Sequence, residues 1–295
     1  MVMRYHAPAK VNLCLKVTGK QADGYSRFVS IAGFTDFGDY LFVDKVESES
    51  RAVITLSGPF AAALENTGVD NLISAAAVAL TNNNQMNTLQ FHLEKNIPVG
   101  GGLGGGSSDA AACLRALIKD MPDPPSAEEL HDITVQLGAD VPVCLTPGWQ
   151  LMTGTGTTTR AVFPKTNTPV HCVLANPGIA VSTKDVFAHL PSFSPLDDDR
   201  YAYEQMIALE NGAYDRLLDF GNDLTIPACA LYPEITALLD KLLGLGRDFP
   251  SDYIGHAMSG SGGSCFCLMR SADASARASQ LLQENGIWAT ATKFI

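Results

Sequence analysis

Apolar and polar residues alternate at the start of the chain. From residue 9 to residue 17 the odd positions are apolar and most even positions are polar, and a period of two predicts a half-buried strand. Lys10 and Asn12 therefore lie on one face of this strand, opposite the core. The Asp23–Gly24 pair predicts a turn that returns Tyr25 towards that face.

The rest of the chain alternates between strand-like and helix-like segments. Ser126 and Glu129 form a capping box, and the apolar stripe after them ends at Gly138, so a helix is expected here. Asp70 is placed to cap another helix that runs to Leu80. Mixed strands and helices with hairpin-like neighbours favour an α+β fold. Further strands are expected at 29–37, 40–43, 52–56, 88–94, 170–175, 253–258 and 264–269, with a last strand ending near Phe294, and further helices at 183–190, 201–209, 233–243 and 272–283.

Length and composition indicate a globular protein of two domains. The chain has 295 residues, and a domain of ordinary size has about 150. With 46% hydrophobic and 17% charged residues it has ample material for a core. Prolines and polar residues between 163 and 169 are typical of a junction. We therefore expect domains at 1–165 and 166–295.

Charge and cysteine usage exclude several classes of partner. The net charge is −11 and no basic run occurs, which argues against nucleic acid or an anionic membrane as a partner. The first residues lack the apolar core of a signal peptide, and no apolar run approaches the length of a membrane span. Seven scattered cysteines without a C-x-x-C pair favour reduced core thiols over disulfides or metal ligation. A soluble, cytoplasmic protein is expected.

Six glycines occupy the seven positions from 100 to 106, between an alternating segment at 88–94 and an alanine-rich stretch. Glycine lets the backbone approach a ligand closely and adopt positive φ angles. Free N–H groups followed by a helix N-terminus attract phosphate. The order of strand, glycine loop and helix therefore predicts a nucleotide site.

Three kinds of glycine loop compete for this segment. The spacing Gly101–Gly106 fits a Walker A loop, but Ser107 stands where that loop needs lysine. Gly100, Gly102 and Gly105 match G-x-G-x-x-G formally, as any run this rich in glycine does. The third interpretation is a kinase-like loop that ends in two serines. A flexible linker is the structural alternative.

Asp140 directly follows a predicted helix end and precedes Pro142. Its carboxylate could cap the next turn. Alternatively it is a general base, because phosphoryl transfer needs one carboxylate to orient or deprotonate the attacking hydroxyl. Lys10 is the candidate cation beside it. Sequence spacing leaves open whether Lys10 and Asp140 meet.

Four motifs resemble those of the GHMP small-molecule kinases: PAKVNL at 8–13, GGGLGGGSSDAA at 100–111, GADVP at 138–142 and MSGSG at 258–262. Shorter motifs along nearly the whole chain follow the order of one branch of that family. Members of this branch use ATP to phosphorylate the 2-hydroxyl of a cytidine diphosphate alcohol in the non-mevalonate route to isoprenoid precursors. The resemblance implies a two-domain α+β fold, with a ribosomal-protein-like N-terminal domain and a ferredoxin-like C-terminal domain. The shorter motifs are DGY at 23–25, DNL at 70–72, NPG at 176–178, NDL at 222–224 and PEI at 233–235.

The resemblance also implies roles for individual residues. Asp140 would take the proton from the acceptor hydroxyl, while Lys10 orients Asp140 and stabilises developing charge. Mg²⁺ is expected beside ATP, with Ser107 or Ser108 as a ligand. The implied ATP-binding residues are Asn71, Lys95, Pro98, Val99, Gly100, Gly101, Gly102, Leu103, Gly104, Gly105, Gly106, Ser107 and Ser108. The implied substrate-binding residues are Asn12, Tyr25, Ser26, Thr183, Phe187, Ser259 and Gly260, with Tyr25 and Phe187 on either side of the cytosine.

Two departures from the family pattern concern the substrate. Ser26 stands where the family has a histidine that hydrogen-bonds the cytosine, and the Gly154–Thr159 run lacks a common acidic residue. The expected partner is a small molecule, a cytidine diphosphate alcohol, and the expected state is a monomer or homodimer. Two alternatives remain open: a related kinase for mevalonate, homoserine or a sugar, and a catalytically idle relative that binds nucleotide.

Overall fold

The computed structural model describes residues 2–22, 24–45, 53–65, 72–81, 89–165 and 168–295. Within these residues the strands are β1 (Met3–Lys20), β2 (Ser26–Lys45), β3 (Val53–Ser57), β4 (Leu89–Glu94), β5 (Gln150–Thr153), β6 (Thr158–Ala161), β7 (His171–Asn176), β8 (Tyr253–Met258), β9 (Cys265–Met269) and β10 (Trp288–Lys293). The helices are α1 (Ala61–Glu65), α2 (Leu72–Leu80), α3 (Gly105–Ile118), α4 (Ala127–Leu137), α5 (Val141–Leu145), α6 (Thr183–Ala188), α7 (Asp198–Glu210), α8 (Tyr214–Asp219), α9 (Thr225–Leu231), α10 (Pro233–Asp248) and α11 (Ala272–Glu284).

The chain divides into two compact units that are interleaved in sequence. The first unit contains Met1–Ala9, Gly38–Val99 and Gly104–Thr146, and the second contains Lys10–Phe37, Gly100–Leu103 and Pro147–Ile295. Strands β1 and β2, which pair with each other, contribute residues to both. The boundary expected between residues 165 and 166 stays a prediction.

In the first unit, the second part of β2 pairs antiparallel with β4, and β3 pairs parallel with β4. Helix α3 packs against α2 and α5. The buried face of α3 is built mostly from small residues, including Ala110–Ala112 and Cys113. Small side chains let the backbones of packed helices approach closely, so α3 packs closely against its two neighbours.

In the second unit, four strands form an antiparallel sheet in the order β10-β7-β9-β8. Helix α11 packs on β10 and β7, while α10 packs on β8 and β9. Counted along the chain, this order is fourth, first, third, second, which together with the connecting helices is the ferredoxin-like arrangement. The expected α+β class and ferredoxin-like C-terminal domain are confirmed.

Most expected elements are present, with differences at the boundaries. The strands expected at 29–37 and 40–43 are one strand, β2, and the capping box at Ser126 is formed as expected at α4. Strands β5 and β6, which flank a glycine-threonine run, were not expected from the sequence. The predicted cap Asp70 and turn residue Asp23 lie outside the described residues.

Candidate functional site

The glycine-rich segment turns through three left-handed residues before α3 begins. Gly100, Gly102 and Gly104 have φ angles of 66°, 74° and 65°, a region that residues with a Cβ rarely adopt. Gly104 is the N-cap of α3, and as a glycine it has no side chain to accept from the first-turn N–H groups. Those donors, together with the positive end of the helix dipole, suit an anionic group such as a phosphate.

Two serines lie in the first turn of α3. Ser107 is half-buried, whereas Ser108 is fully buried and its Oγ has no hydrogen-bond partner. A buried hydroxyl without a partner destabilises a protein by about 1–3 kcal/mol. Hydroxyl and phosphate oxygens are ligands that Mg²⁺ accepts, so this donor set fits the metal. Metal ligation by Ser107 stays a prediction.

In the second unit, residues 100–103 of the glycine segment are hydrogen-bonded to the loop after β8. The Oγ of Ser259 donates to the carbonyl of Gly102 at 3.0 Å, and the N–H of Ser264 donates to the carbonyl of Gly101 at 2.8 Å. A Cβ on Gly102 would lie 2.4 Å from the carbonyl oxygen of Gly262. Only glycine fits there, because both its φ angle and this contact exclude a side chain.

Strand β1 is joined to both loops. Lys10 and Asn12 are buried, with 3% and 2% of their surface exposed. The N–H of Lys10 donates to the carbonyl of Leu103 at 2.9 Å, and the N–H of Asn12 donates to Ser259 Oγ at 3.1 Å. The alternating pattern correctly placed Lys10 and Asn12 on one face of β1. The prediction that this face lies opposite the core was wrong, because β1 is buried on both faces here and this face packs beside two glycine loops. Gly260, with φ of 57°, follows in the second loop.

The remaining predicted substrate residues occupy the same unit. The hydroxyls of Thr183, in α6, and Ser261 are 2.8 Å apart, so α6 is tied to the loop after β8. Phe187 lies in the same helix and is half-buried, whereas Tyr25 is 67% exposed. Ser26 is half-buried at the first position of β2. Stacking of a base between Tyr25 and Phe187 stays a prediction.

In the first unit, Lys95 has a role that the sequence analysis missed. Its Nζ contacts Asp39 Oδ2 at 2.5 Å and Asp109 Oδ2 at 2.7 Å, and all three side chains are buried. We call these residues the Lys95 cluster. A Cβ on Gly105 would lie 2.9 Å from Lys95 Nζ, so the cluster lies directly beneath the start of α3. An additional role for Lys95 near the adenine stays a prediction, and Asn71 lies outside the described residues.

The Lys95 cluster holds one ammonium and two carboxyl groups. Asp39 Oδ1 accepts from the N–H groups of Asn96 and Ile97 at 2.5 and 2.8 Å, whereas Asp109 Oδ1 is buried without a partner. Burial raises the pKa of Asp109 to about 8, although the ammonium of Lys95 acts in the opposite direction. Burial alone would lower the pKa of Lys95, but Asp109 and Asp39 hold it above its ordinary value. Asp109 is therefore the member that carries a proton at neutral pH.

We expect Asp109→Asn to change how stability depends on pH. The pKa of Asp109 is raised in the folded state, so between about pH 4 and pH 8 the folded protein binds a proton that the unfolded chain has released. Its contribution therefore falls as pH rises, by at most about 1.4 kcal/mol per pH unit. Asparagine resembles the neutral acid but binds no proton, so the variant lacks this pH dependence. Urea unfolding at pH 6 and pH 8.5 should show the variant gaining stability relative to the parent at the higher pH.

The exposed residue Asp132 on α4 provides the control for that experiment. Asp132→Asn should leave the difference between the two pH values as it is in the parent. An equal pH dependence in the parent and in Asp109→Asn would contradict the assignment of the bound proton to Asp109.

Asp140 occupies the N-cap position of α5, but its side chain makes no capping hydrogen bond. The helix starts instead with Val141, whose N–H donates to the carbonyl of Gly138 at 3.0 Å, and has Pro142 in its first turn. The prediction that this carboxylate caps the helix was therefore wrong. Asp140 belongs to the first unit and Lys10 to the second, and their pairing stays a prediction.

No other group in the described part of the chain offers a metal cage. Among these residues, no cluster of three or more His, Cys, Asp or Glu side chains could hold an ion. Over the same residues, no helix has the length and apolar character needed to span a membrane.

Two family models match the sequence. The model described as GHMP kinases N terminal domain matches residues 71–148, and the model described as GHMP kinases C terminal matches residues 207–287. A curated 4-diphosphocytidyl-2-C-methyl-D-erythritol kinase of Granulibacter bethesdensis is 41% identical over 283 residues, which cover 94% of this chain and 88% of the relative. The enzyme of the same name from Agrobacterium fabrum is 36% identical over 293 residues, covering 94% and 91%.

Solved structures agree with these matches. A crystal structure of 4-(cytidine 5'-diphospho)-2C-methyl-D-erythritol kinase superposes with a TM-score of 0.77 at 31% identity and covers 99% of each chain. Homoserine kinase from Cytophaga hutchinsonii gives a TM-score of 0.67 at 16% identity, covering 100% of this chain and 94% of the other. At 16% identity, the similarity to homoserine kinase shows a shared fold only.

Proposed function

The chain belongs to the GHMP kinase family, and from that premise we propose that it uses ATP to phosphorylate the 2-hydroxyl of 4-diphosphocytidyl-2-C-methyl-D-erythritol. The relatives at 41% and 36% identity carry the name of that kinase. The observation that carries the proposal is the junction of strand β1 with the glycine segment, where the N–H of Lys10 donates to Leu103. That junction brings the predicted catalytic strand to the predicted phosphate loop.

Phosphoryl transfer depends on positioning and charge neutralisation more than on covalent chemistry. The left-handed glycines and the N-terminus of α3 would bind the phosphates of ATP through backbone N–H groups. Asp140 would accept the proton of the attacking hydroxyl, and Lys10 would stabilise the charge that develops beside it. Asp140 lies at the N-cap position of α5, where its side chain does not act as a helix cap, and the family resemblance gives it the role of the base.

Mg²⁺ would be held by Ser107 or Ser108 together with the phosphates. The ion would neutralise part of the phosphate charge during transfer. The buried Oγ of Ser108 has no hydrogen-bond partner within the described protein, which supports a ligand at this position. We further propose that the enzyme is cytoplasmic and acts as a monomer or homodimer.

A coupled assay of ADP release tests the proposed function. With ATP and Mg²⁺, turnover is expected with 4-diphosphocytidyl-2-C-methyl-D-erythritol and absent with mevalonate, homoserine or galactose. Turnover with one of those alcohols instead would replace the substrate but keep the reaction class. ATP binding by calorimetry without turnover on any alcohol would identify a catalytically idle relative and overturn the proposal.

We expect Ser26→His to lower the KM for the cytidine substrate. Ser26 is half-buried at the start of β2. The family resemblance implies a histidine in this position, and a hydroxyl reaches less far than an imidazole. One added hydrogen bond to a desolvated base edge is worth about 1.4 kcal/mol, or tenfold in KM. Steady-state kinetics measure it, with Ser26→Ala as the matched control. An unchanged KM in Ser26→His would mean that other residues read the base.

A further inference from the structure

Asn12 is the centre of a hydrogen-bond network that runs through the second unit. Its Nδ2 donates to Ser30 Oγ at 2.8 Å, and Ser30 Oγ donates to the carbonyl of Cys14 at 2.6 Å. On the other side, the N–H of Asn12 donates to Ser259 Oγ, which donates to the carbonyl of Gly102. The network therefore connects strands β1 and β2 to both glycine loops.

Ser30 determines which way the amide of Asn12 points. A serine hydroxyl has one proton to donate, and Ser30 uses it on Cys14. The lone pairs of Ser30 Oγ therefore face Asn12 and accept from the NH₂ group rather than meeting the amide oxygen. A rotated amide would place two acceptors against each other. Asn12 is thus held with Oδ1 directed away from Ser30.

The Oδ1 atom of Asn12 is buried and has no hydrogen-bond partner. A Cβ on Gly260 would lie 3.4 Å from it, so the atom faces the backbone of the loop after β8. Unpartnered buried acceptors are rare in folded proteins because they destabilise the free state. The orientation of this oxygen is fixed, and it lies on the same strand face as Lys10. It is therefore placed to accept a hydrogen bond from a ligand.

We infer that Ser30 is a positioning residue that makes Asn12 an obligate acceptor for a hydroxyl of the alcohol substrate. This inference rests on the proposed function. Asn12 would receive a proton donor and reject a carbonyl or ether oxygen at that position. Oδ1 is buried near Gly260 of the loop after β8, so the inference requires this loop to shift when the hydroxyl binds. Ser30 itself does not touch the substrate.

Ser30→Ala and Ser30→Cys test the inference through substrate kinetics. Alanine removes the hydroxyl that orients the side-chain amide of Asn12, so this amide can rotate. Cysteine keeps nearly the same size but is a weak donor and acceptor. In Ser30→Ala the KM for 4-diphosphocytidyl-2-C-methyl-D-erythritol should rise about tenfold, while the KM for ATP stays within about twofold. Ser30→Cys, which cannot leave a cavity, should raise the KM for the alcohol by an intermediate factor.

Thr35→Val is the matched control. Thr35 is a buried hydroxyl residue on the same strand, and its Oγ1 donates to the carbonyl of Phe37 at 2.9 Å. This control should leave both KM values unchanged. An alcohol KM that stays unchanged in both Ser30 variants, or that rises equally in Thr35→Val, would overturn the inference.

Deoxy analogues of the alcohol provide a second measurement. The analogue that lacks the hydroxyl bound by Asn12 should bind the parent enzyme about tenfold more weakly, and Ser30→Ala should weaken its binding no further. Equal penalties of Ser30→Ala on all analogues would contradict the role of Ser30. If the parent enzyme turns over no alcohol, the proposed function fails. If the parent is active and the Ser30 variants match it, only the inference fails.

Discussion

Asp140→Asn is expected to lower kcat by about 10²–10⁴-fold, the range that a general base contributes. Asparagine keeps the shape of aspartate but cannot accept the hydroxyl proton. The N-cap position of Asp140 carries no capping hydrogen bond from this side chain, so α5 should form normally. Affinity for ATP should change little, because the proposed phosphate contacts are made by the glycine segment. Single-turnover kinetics with saturating ATP separate the chemical step from binding.

Asp120 offers a control for that experiment, because it follows the end of α3 and is exposed. Asp120→Asn should retain the kcat of the parent. If Asp140→Asn also retains it, Asp140 is not the base and its carboxylate has another role. A lost kcat accompanied by a lost ATP affinity would indicate a structural defect, which a comparison of the circular dichroism spectra would detect.

The elements that the sequence predicted well are those whose local signals are strong. The alternating apolar positions of β1 placed Lys10 and Asn12 on one face, and the structure has both residues there with backbone bonds to the glycine loops. The capping box of α4 forms as expected. The dense glycines predicted positive φ angles, which Gly100, Gly102 and Gly104 adopt.

The parts that could not be predicted depend on contacts between distant segments. Asp39 lies in a strand-like stretch of ordinary appearance, and only the fold brings it to Lys95. Asp109 had a local signal, a charge within an alanine-rich helix whose neighbours are buried. That signal indicates a buried partner but does not identify it. Ser30 gave no signal, because its role depends on which atom of Asn12 it faces.

The Lys95 cluster was missed for a further reason. A lysine next to a glycine loop in a nucleotide-binding protein is readily assigned to the ligand, because phosphate and lysine attract each other. In the structure the ammonium contacts the carboxyl groups of Asp39 and Asp109. We therefore expect Lys95 to stabilise the folded protein beneath the glycine segment.

Lys95→Met is expected to lower the free energy of unfolding by about 3–5 kcal/mol, as removal of one partner from a buried ion pair does. Methionine fills a similar volume, so the loss comes from charge rather than from a cavity. Asp39 and Asp109 would remain buried without their cation. Guanidinium unfolding at pH 7, followed by fluorescence of the native tryptophans, measures the change.

The exposed pair of Lys165 and Glu210, with Nζ and Oε2 3.2 Å apart, provides a matched control. Lys165→Met should lower the free energy of unfolding by less than about 1 kcal/mol, because solvent screens an exposed pair. Adding Asp109→Asn to Lys95→Met should recover part of the lost stability, because asparagine, unlike Asp109, does not have to take up a proton on folding at pH 7. If the two lysine substitutions had equal effects, the Lys95 cluster would not be a buried ion pair, and another interaction would have to hold the start of α3.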